Sequence, residues 1–166
     1  DGAADRRVYH GDPFQPSQVM KARNILFALL LMPALWSCGQ RTPTIDFGKA
    51  ECAHCRMNVV DRQFGAALVT EKGRQYVFDD VSCMVHFVEK GSVAEDQVKA
   101  WYICDHAEPG NLIDATTAHY LHSPAFRSPM RGDVAAFSDE AARSAAASKE
   151  GSTTMDWSKV RQQLSE

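Results

Sequence analysis

The chain has 166 residues, 45% of them hydrophobic, with 18 Lys and Arg against 21 Asp and Glu. That length accommodates one domain or two small ones, and the composition is ordinary for a globular protein. A formal net charge of −3 without any basic excess argues against a nucleic-acid partner.

Residues 1–19 precede a plausible start at Met20 and read as an upstream extension, set aside for fold reasoning. From Met20, Lys21 and Arg23 supply a short positive region. Ile25 to Trp36 is then almost wholly apolar, interrupted by Pro33. A spanning helix needs about 20 apolar residues, so this run reads as a signal peptide over 20–37. It ends at Leu35-Trp36-Ser37-Cys38, the pattern of a lipoprotein cleavage site, with Cys38 as the lipidated thiol. Gly39 stands where an inner-membrane retention signal would carry Asp. The expected location is therefore periplasm-facing, held to the outer membrane by the lipid. Residues 38–51, polar and carrying a proline, read as a tether, and the metal-binding domain is expected over 52–166.

Phe64–Thr70 and Gln75–Phe78 read as two strands joined by the turn residues Glu71-Lys72-Gly73-Arg74, a β-hairpin. Asp79 or Asp80 then stands where a helix N-cap belongs, because its carboxylate can accept unpaired first-turn N–H groups. Val81, Met84, Val85 and Val88 follow with the spacing of one helical face, and Gly91 is a natural stop. Val98–Cys104 reads as a buried strand. The first unit is thus β-β-α-β over about 52–104. Asn111–Ala118 reads as a strand or turn entering a short helix. The second half repeats the theme over about 105–166: a strand at Asp133–Phe137, a cap at Ser138 or Asp139, an alanine-rich helix, and a terminal helix within Met155–Leu164. Phe78, Asp80 and Lys90 recur as Phe137, Asp139 and Lys149, each pair 59 residues apart. The expected fold class is α+β, built as two related small β-β-α-β lobes.

Five cysteines occur. Setting Cys38 aside leaves Cys52, Cys55, Cys83 and Cys104, and an even number in an exported chain first suggests disulfides. A bridge between Cys52 and Cys55 would close only a tiny loop, so metal or redox chemistry explains that pair better. Cys52-Ala53-His54-Cys55-Arg56-Met57 places two thiols, an imidazole and a thioether within six residues. Soft sulfur donors match Cu(I), whereas Zn(II) takes the thiols and imidazole and has little use for the methionine. Cys83 and His86 share a helix face and could complete a zinc quartet of treble-clef type with Cys52 and Cys55. Met130, between Pro129 and an Arg-Gly turn, is a loop methionine suited to a soft metal. His119 and His122 could each supply a nitrogen. Cys104 ends an apolar strand and reads as a buried thiol. A catalytic disulfide exchanger needs its C-x-x-C at a helix start directly after a buried strand. Neither Ile45–Glu51 nor Arg56–Asp61 fits, so no enzyme is expected.

Taken together and in order, these motifs resemble the NosL family. They are the lipoprotein cysteine, C-x-x-C-x-M-x-V-x-D from Cys52, F-x-A-A from Phe64, and Y-x-F-D-D-x-x-C-M from Tyr76. I-D-A-x-x-A-x-Y from Ile113 and P-M-x-G-x-x-A-A-F from Pro129 follow. Arg56 and Arg131 replace glycines usual beside the two methionines. The resemblance implies a membrane-anchored chaperone that holds one Cu(I) and delivers it for the copper-sulfide centre of nitrous oxide reductase. It implies a site drawn from Met130, Cys55, Met57, Cys52, Cys83 and His86. The first lobe also resembles the YHS/TRASH metal-binding modules, which keeps a zinc-structured or metal-sensing module as the alternative.

Overall fold

The computed structural model describes residues 42–148 and 151–165. The signal-peptide, lipidation and upstream-extension readings, Cys38 included, and Lys149 of the repeat lie outside these residues. Among the described residues no helix is long and apolar enough to cross a membrane.

The first lobe is built from β1 (Ala66–Thr70), β2 (Gln75–Phe78), α1 (Val81–Glu89) and β3 (Val98–Cys104). The β1–β2 turn forms because Gly73 takes φ +79°, which an L side chain resists. Thr70 Oγ1 also accepts the Arg74 N–H at 3.1 Å. β1 is central, with β2 and β3 antiparallel on either side. Every one of its residues is buried, as suits a strand covered on both faces.

α1 begins at Asp80, whose side chain accepts the Ser82 N–H. Val81, Met84, Val85 and Val88 are buried as the periodicity requires, and Ser82, Cys83 and Phe87 are buried as well. The helix is covered on more than one face because it also packs on a helix of the second lobe.

The second lobe has the same order: β5 (His119–His122), β6 (Val134–Phe137), α2 (Glu140–Ala146) and β7 (Thr153–Met155), followed by α3 (Trp157–Leu164). Its sheet runs β6-β5-β7, and the first runs β2-β1-β3 with β4 (Leu112–Asp114) added outside β3. The two hairpin-to-helix units superpose in sequence at the 59-residue offset. β2 ends at Phe78 and β6 at Phe137, and Asp80 and Asp139 cap the helices that follow. The short helix expected after Ile113 is a turn, closed by Asp114 accepting the Thr116 N–H at 2.8 Å.

Asp105 joins the lobes. It is fully buried, forms a parallel bridge with Ala136, and accepts N–H bonds from Ala107 at 2.9 Å and Ser138 at 3.1 Å. One apolar cluster runs through both lobes, from Leu68, Phe78 and Met84 to Tyr120, Val134 and Val160. α3 completes it from outside. Trp157 packs on Trp101 of β3 at 5.5 Å between ring centroids, and Arg161 pairs with Glu95.

The stretch read as a tether is folded from Ile45 onward. Gly48 N–H donates to Val59 O at 2.8 Å, Arg62 stacks on the Phe47 ring, and Ile45 and Phe47 pack against the core. Gly65 leaves room for this segment: a Cβ there would stand 3.0 Å from the Phe47 ring, which would have to shift.

Candidate metal centre

Glu51 to Asn58 doubles back into a tight loop. Its ends form an antiparallel bridge, Cys52 N–H donates to Met57 O at 2.8 Å, and Arg56 N–H donates to Cys52 O at 3.1 Å. Arg56 closes the turn with φ +71°, a left-handed conformation that costs a non-glycine residue roughly 1–2 kcal/mol. Ala53 N–H, donating to Val77 O at 2.9 Å, pins the loop to β2. β2 leads directly into Asp79, and α1 carries Cys83 in its first turn. The hairpin therefore returns the helix start to the cysteine loop.

The sulfurs of Cys52, Cys55 and Cys83 and a carboxylate oxygen of Asp79 all lie within 4.8 Å of one another. Cys52, Cys83 and Asp79 are buried and Cys55 is half-buried, so the cluster meets solvent along the Cys55 side. Asp79 Oδ1 accepts from the Cys55 thiol at 3.5 Å.

The three thiols are not equivalent. A hydrogen bond from the Cys83 thiol and backbone N–H groups of Cys55, Asp79 and His54 stabilise the Cys52 thiolate. Against the opposing effect of burial, they bring its pKa down to about 6. Cys83 is pushed far upward because its proton is engaged by Cys52 and it too is buried. Burial raises Cys55 as well, and the neighbouring Cys52 charge adds to the effect. The arrangement favours ionisation at Cys52 and retention of the proton at Cys55 and Cys83.

The structure thus brings together Cys52, Cys55 and Cys83. Met57 and Met130 have exposed side chains, at 49% and 36% of full accessibility, on segments attached to the cluster. Met57 closes the cysteine loop through its carbonyl. Met130 N–H donates to Asp80 Oδ2 at 3.2 Å, beside Asp79. His86 is not in the thiol group. Its ring stacks on His54 at 5.8 Å, and Nδ1 lies 3.9 Å from Glu89. Cys83 joins the thiol group from the first turn, whereas His86, a turn later, meets the loop at the His54 ring instead of at the thiols. The quartet with His86 is therefore not assembled, and Asp79 stands in the fourth place. Sequence reasoning missed Asp79. The available signal was a pair of aspartates at a cap that needs one. His119 pairs with Glu140 at 3.2 Å in the second lobe. Cys104 is fully buried, and burial pushes its thiol up to about 11.

The family model of NosL matches residues 45–165. The chain belongs to the NosL family. Its fold is similar to the crystal structure of the copper chaperone NosL from Shewanella denitrificans. The TM-score is 0.61 at 19% identity, over 72% of this chain and 94% of that one. No curated protein matches. The NosL match begins at Ile45, the residue from which the chain docks on the core. Arg56 and Arg131 both adopt positive φ, +71° and +62°, the left-handed conformation that glycine takes most easily.

Proposed function

We propose that this chain is a copper chaperone. It binds one Cu(I) at Cys52, Cys55 and Cys83 and delivers it in the periplasm, from a lipid anchor at Cys38, for assembly of the copper-sulfide centre of nitrous oxide reductase. The observation that carries the reading is the convergence of three thiols from two separate elements, with one exposed methionine, Met57, on the cysteine loop and another, Met130, on a turn bonded to Asp80. Thiolates and thioethers are the donors a soft, low-coordinate ion prefers. Burial of Cys52 and Cys83 withholds the cargo from water. The half-buried Cys55 and the thioethers of Met57 and Met130 offer a path along which an acceptor's donors can replace the carrier's one at a time. Membership of the NosL family and the fold shared with a copper chaperone support the same reading.

A zinc-structured module is the second reading, favoured by the fourth donor. Three cysteines and a carboxylate within 4.8 Å suit a closed tetrahedral Zn(II) site. The exposed methionines have no role in that account.

Delivery is tested by mixing the Cu(I)-loaded protein anaerobically with metal-free nitrous oxide reductase and separating the two. Copper is expected to leave the carrier and appear on the reductase. Copper that stays on the carrier while a small chelator of similar affinity removes it would contradict delivery to that partner.

A further inference from the structure

The paired aspartates divide their contacts. Asp79 faces Cys55. Asp80, 1% exposed, uses both carboxylate oxygens. Oδ1 accepts the Ser82 N–H at 2.7 Å and the Ser82 hydroxyl at 2.9 Å, the bonds of a helix cap. Oδ2 accepts the Met130 N–H at 3.2 Å, from a segment 50 positions away in the other lobe. The matching aspartate of the second lobe, Asp139, is exposed and caps α2 through the Ala142 N–H at 2.9 Å. Capping alone needs neither burial nor a second oxygen, since serine or asparagine caps as well. A buried carboxylate needs its remaining lone pairs satisfied, and the Met130 turn does that for Asp80.

The turn itself is preformed. Ser128 N–H donates to Asp133 Oδ1 at 3.0 Å, and Asp133 N–H returns a bond to Ser128 Oγ at 2.9 Å, closing its base. Gly132 lies flush on the helix start. A Cβ there would collide with Ser82 Oγ and press on Leu164. Arg131 N–H donates to Ser128 O at 3.0 Å across the turn, and Asp80 ties its tip, at Met130, to the helix start.

We infer that Asp80 is a positioning residue for Met130. Its second carboxylate oxygen holds the methionine turn against the helix start that bears Cys83. The inference rests on the copper-carrier reading for what Met130 does, but not for how Met130 is held.

The test is Asp80→Asn in the full chain. Asparagine keeps a cap acceptor, while its amide N–H cannot accept from Met130. In metal-free protein the Met130 amide is expected to exchange hydrogen about tenfold faster or more in Asp80→Asn, with the first turn of α1 unchanged. Asp80→Ser, long enough to cap and too short to reach Met130, is expected to do the same. Should one variant fail to fold, the other decides. Unchanged Met130 exchange in the folded variant overturns the inference. Cu(I) affinity is then measured in Asp80→Asn, Met130→Ala and the double variant. A residue acting through Met130 lowers affinity about tenfold alone and adds nothing once Met130 is gone. Fully additive losses would overturn positioning through Met130. Unaltered Cu(I) affinity and transfer in Met130→Ala would instead contradict the copper role of Met130, with amide exchange still deciding how its turn is held.

Discussion

The two lobes share a frame and differ in chemistry. At the 59-residue offset the frame residues recur: Phe78 with Phe137 at the strand end, and Asp80 with Asp139 at the helix cap. The donor positions do not. Asp79 corresponds to Ser138 and Cys83 to Ala142. Among the described residues the second lobe also has no counterpart to the Cys52–Cys55 loop that docks on β2 through Ala53. Its hairpin instead carries the turn of Met130, which reaches across to the first lobe. One unit therefore supplies the thiol cluster and the other supports it. Residues demanded by strand and helix termini recur between the lobes, whereas the candidate metal donors do not.

The largest expected effect comes from removing what the second lobe lacks. Cys52→Ser, Cys55→Ser and Cys83→Ser should each lower Cu(I) affinity by more than about 100-fold, beyond the loss typical of removing a residue that only orients a ligand. Competition against a Cu(I) indicator measures this, and a full-affinity Cys83→Ser variant would remove α1 from the site. Proton release comes next. Cys55 and Cys83 hold protons at neutral pH and must lose them to bind metal, whereas Cys52 is already ionised above about pH 6. Raising pH favours the deprotonated ligands, so affinity should climb with pH. Between roughly pH 6.5 and 8.5 it should rise toward 100-fold per unit if both protons leave, and more steeply still below pH 6. A flat profile, after correction for the indicator, would show that Cu(I) leaves those two thiols protonated.

Asp79→Asn should cost about 10–100-fold in affinity while Ser138, its counterpart, can be replaced by alanine without effect on metal. Equal responses at the two positions would dissolve the contrast between the lobes. Asp139→Ala removes a cap and should cost about 1 kcal/mol of stability, read as a lowered Tm with Cu(I) affinity unchanged. The smallest effect is expected at Arg56 and Arg131. Glycine at either position relieves a left-handed conformation costing roughly 1–2 kcal/mol but loosens the unfolded chain. The exposed Arg56–Glu51 pair, at 2.7 Å, adds little. Arg56→Gly should therefore change stability by no more than about 1 kcal/mol, upward. A marked fall in Tm would show that the ion pair matters more than the strain.

Much of this frame was legible before any coordinates. Caps and strand ends recur because helix termini demand them, so the β-β-α-β repeat is visible as Phe-x-Asp at a fixed spacing. The C-x-x-C loop and Cys83 were legible because few structural demands place thiols so. The role of Asp79 was hidden because either aspartate could cap α1, and which one does depends on backbone geometry at the strand-to-helix turn. The place of His86 was hidden because a shared helix face does not say which loop residue it meets, and the one it meets is His54. The docking of Ile45 and Phe47 depends on a groove left by Gly65, and β4 joins β3 through pairing that follows a separate turn. Both are tertiary matters that local pattern does not encode.

The central claim is that the thiol cluster is built to carry Cu(I) and release it. The most direct test is an anaerobic titration of the soluble protein from Gly39 onward with Cu(I) against a competing indicator, with Zn(II) in parallel. The account predicts tight one-to-one Cu(I) binding that survives excess zinc, in a protein that stays folded when the metal is withdrawn. Stoichiometric zinc that Cu(I) cannot displace, with loss of fold on chelation, would contradict it and make the cluster a structural zinc site.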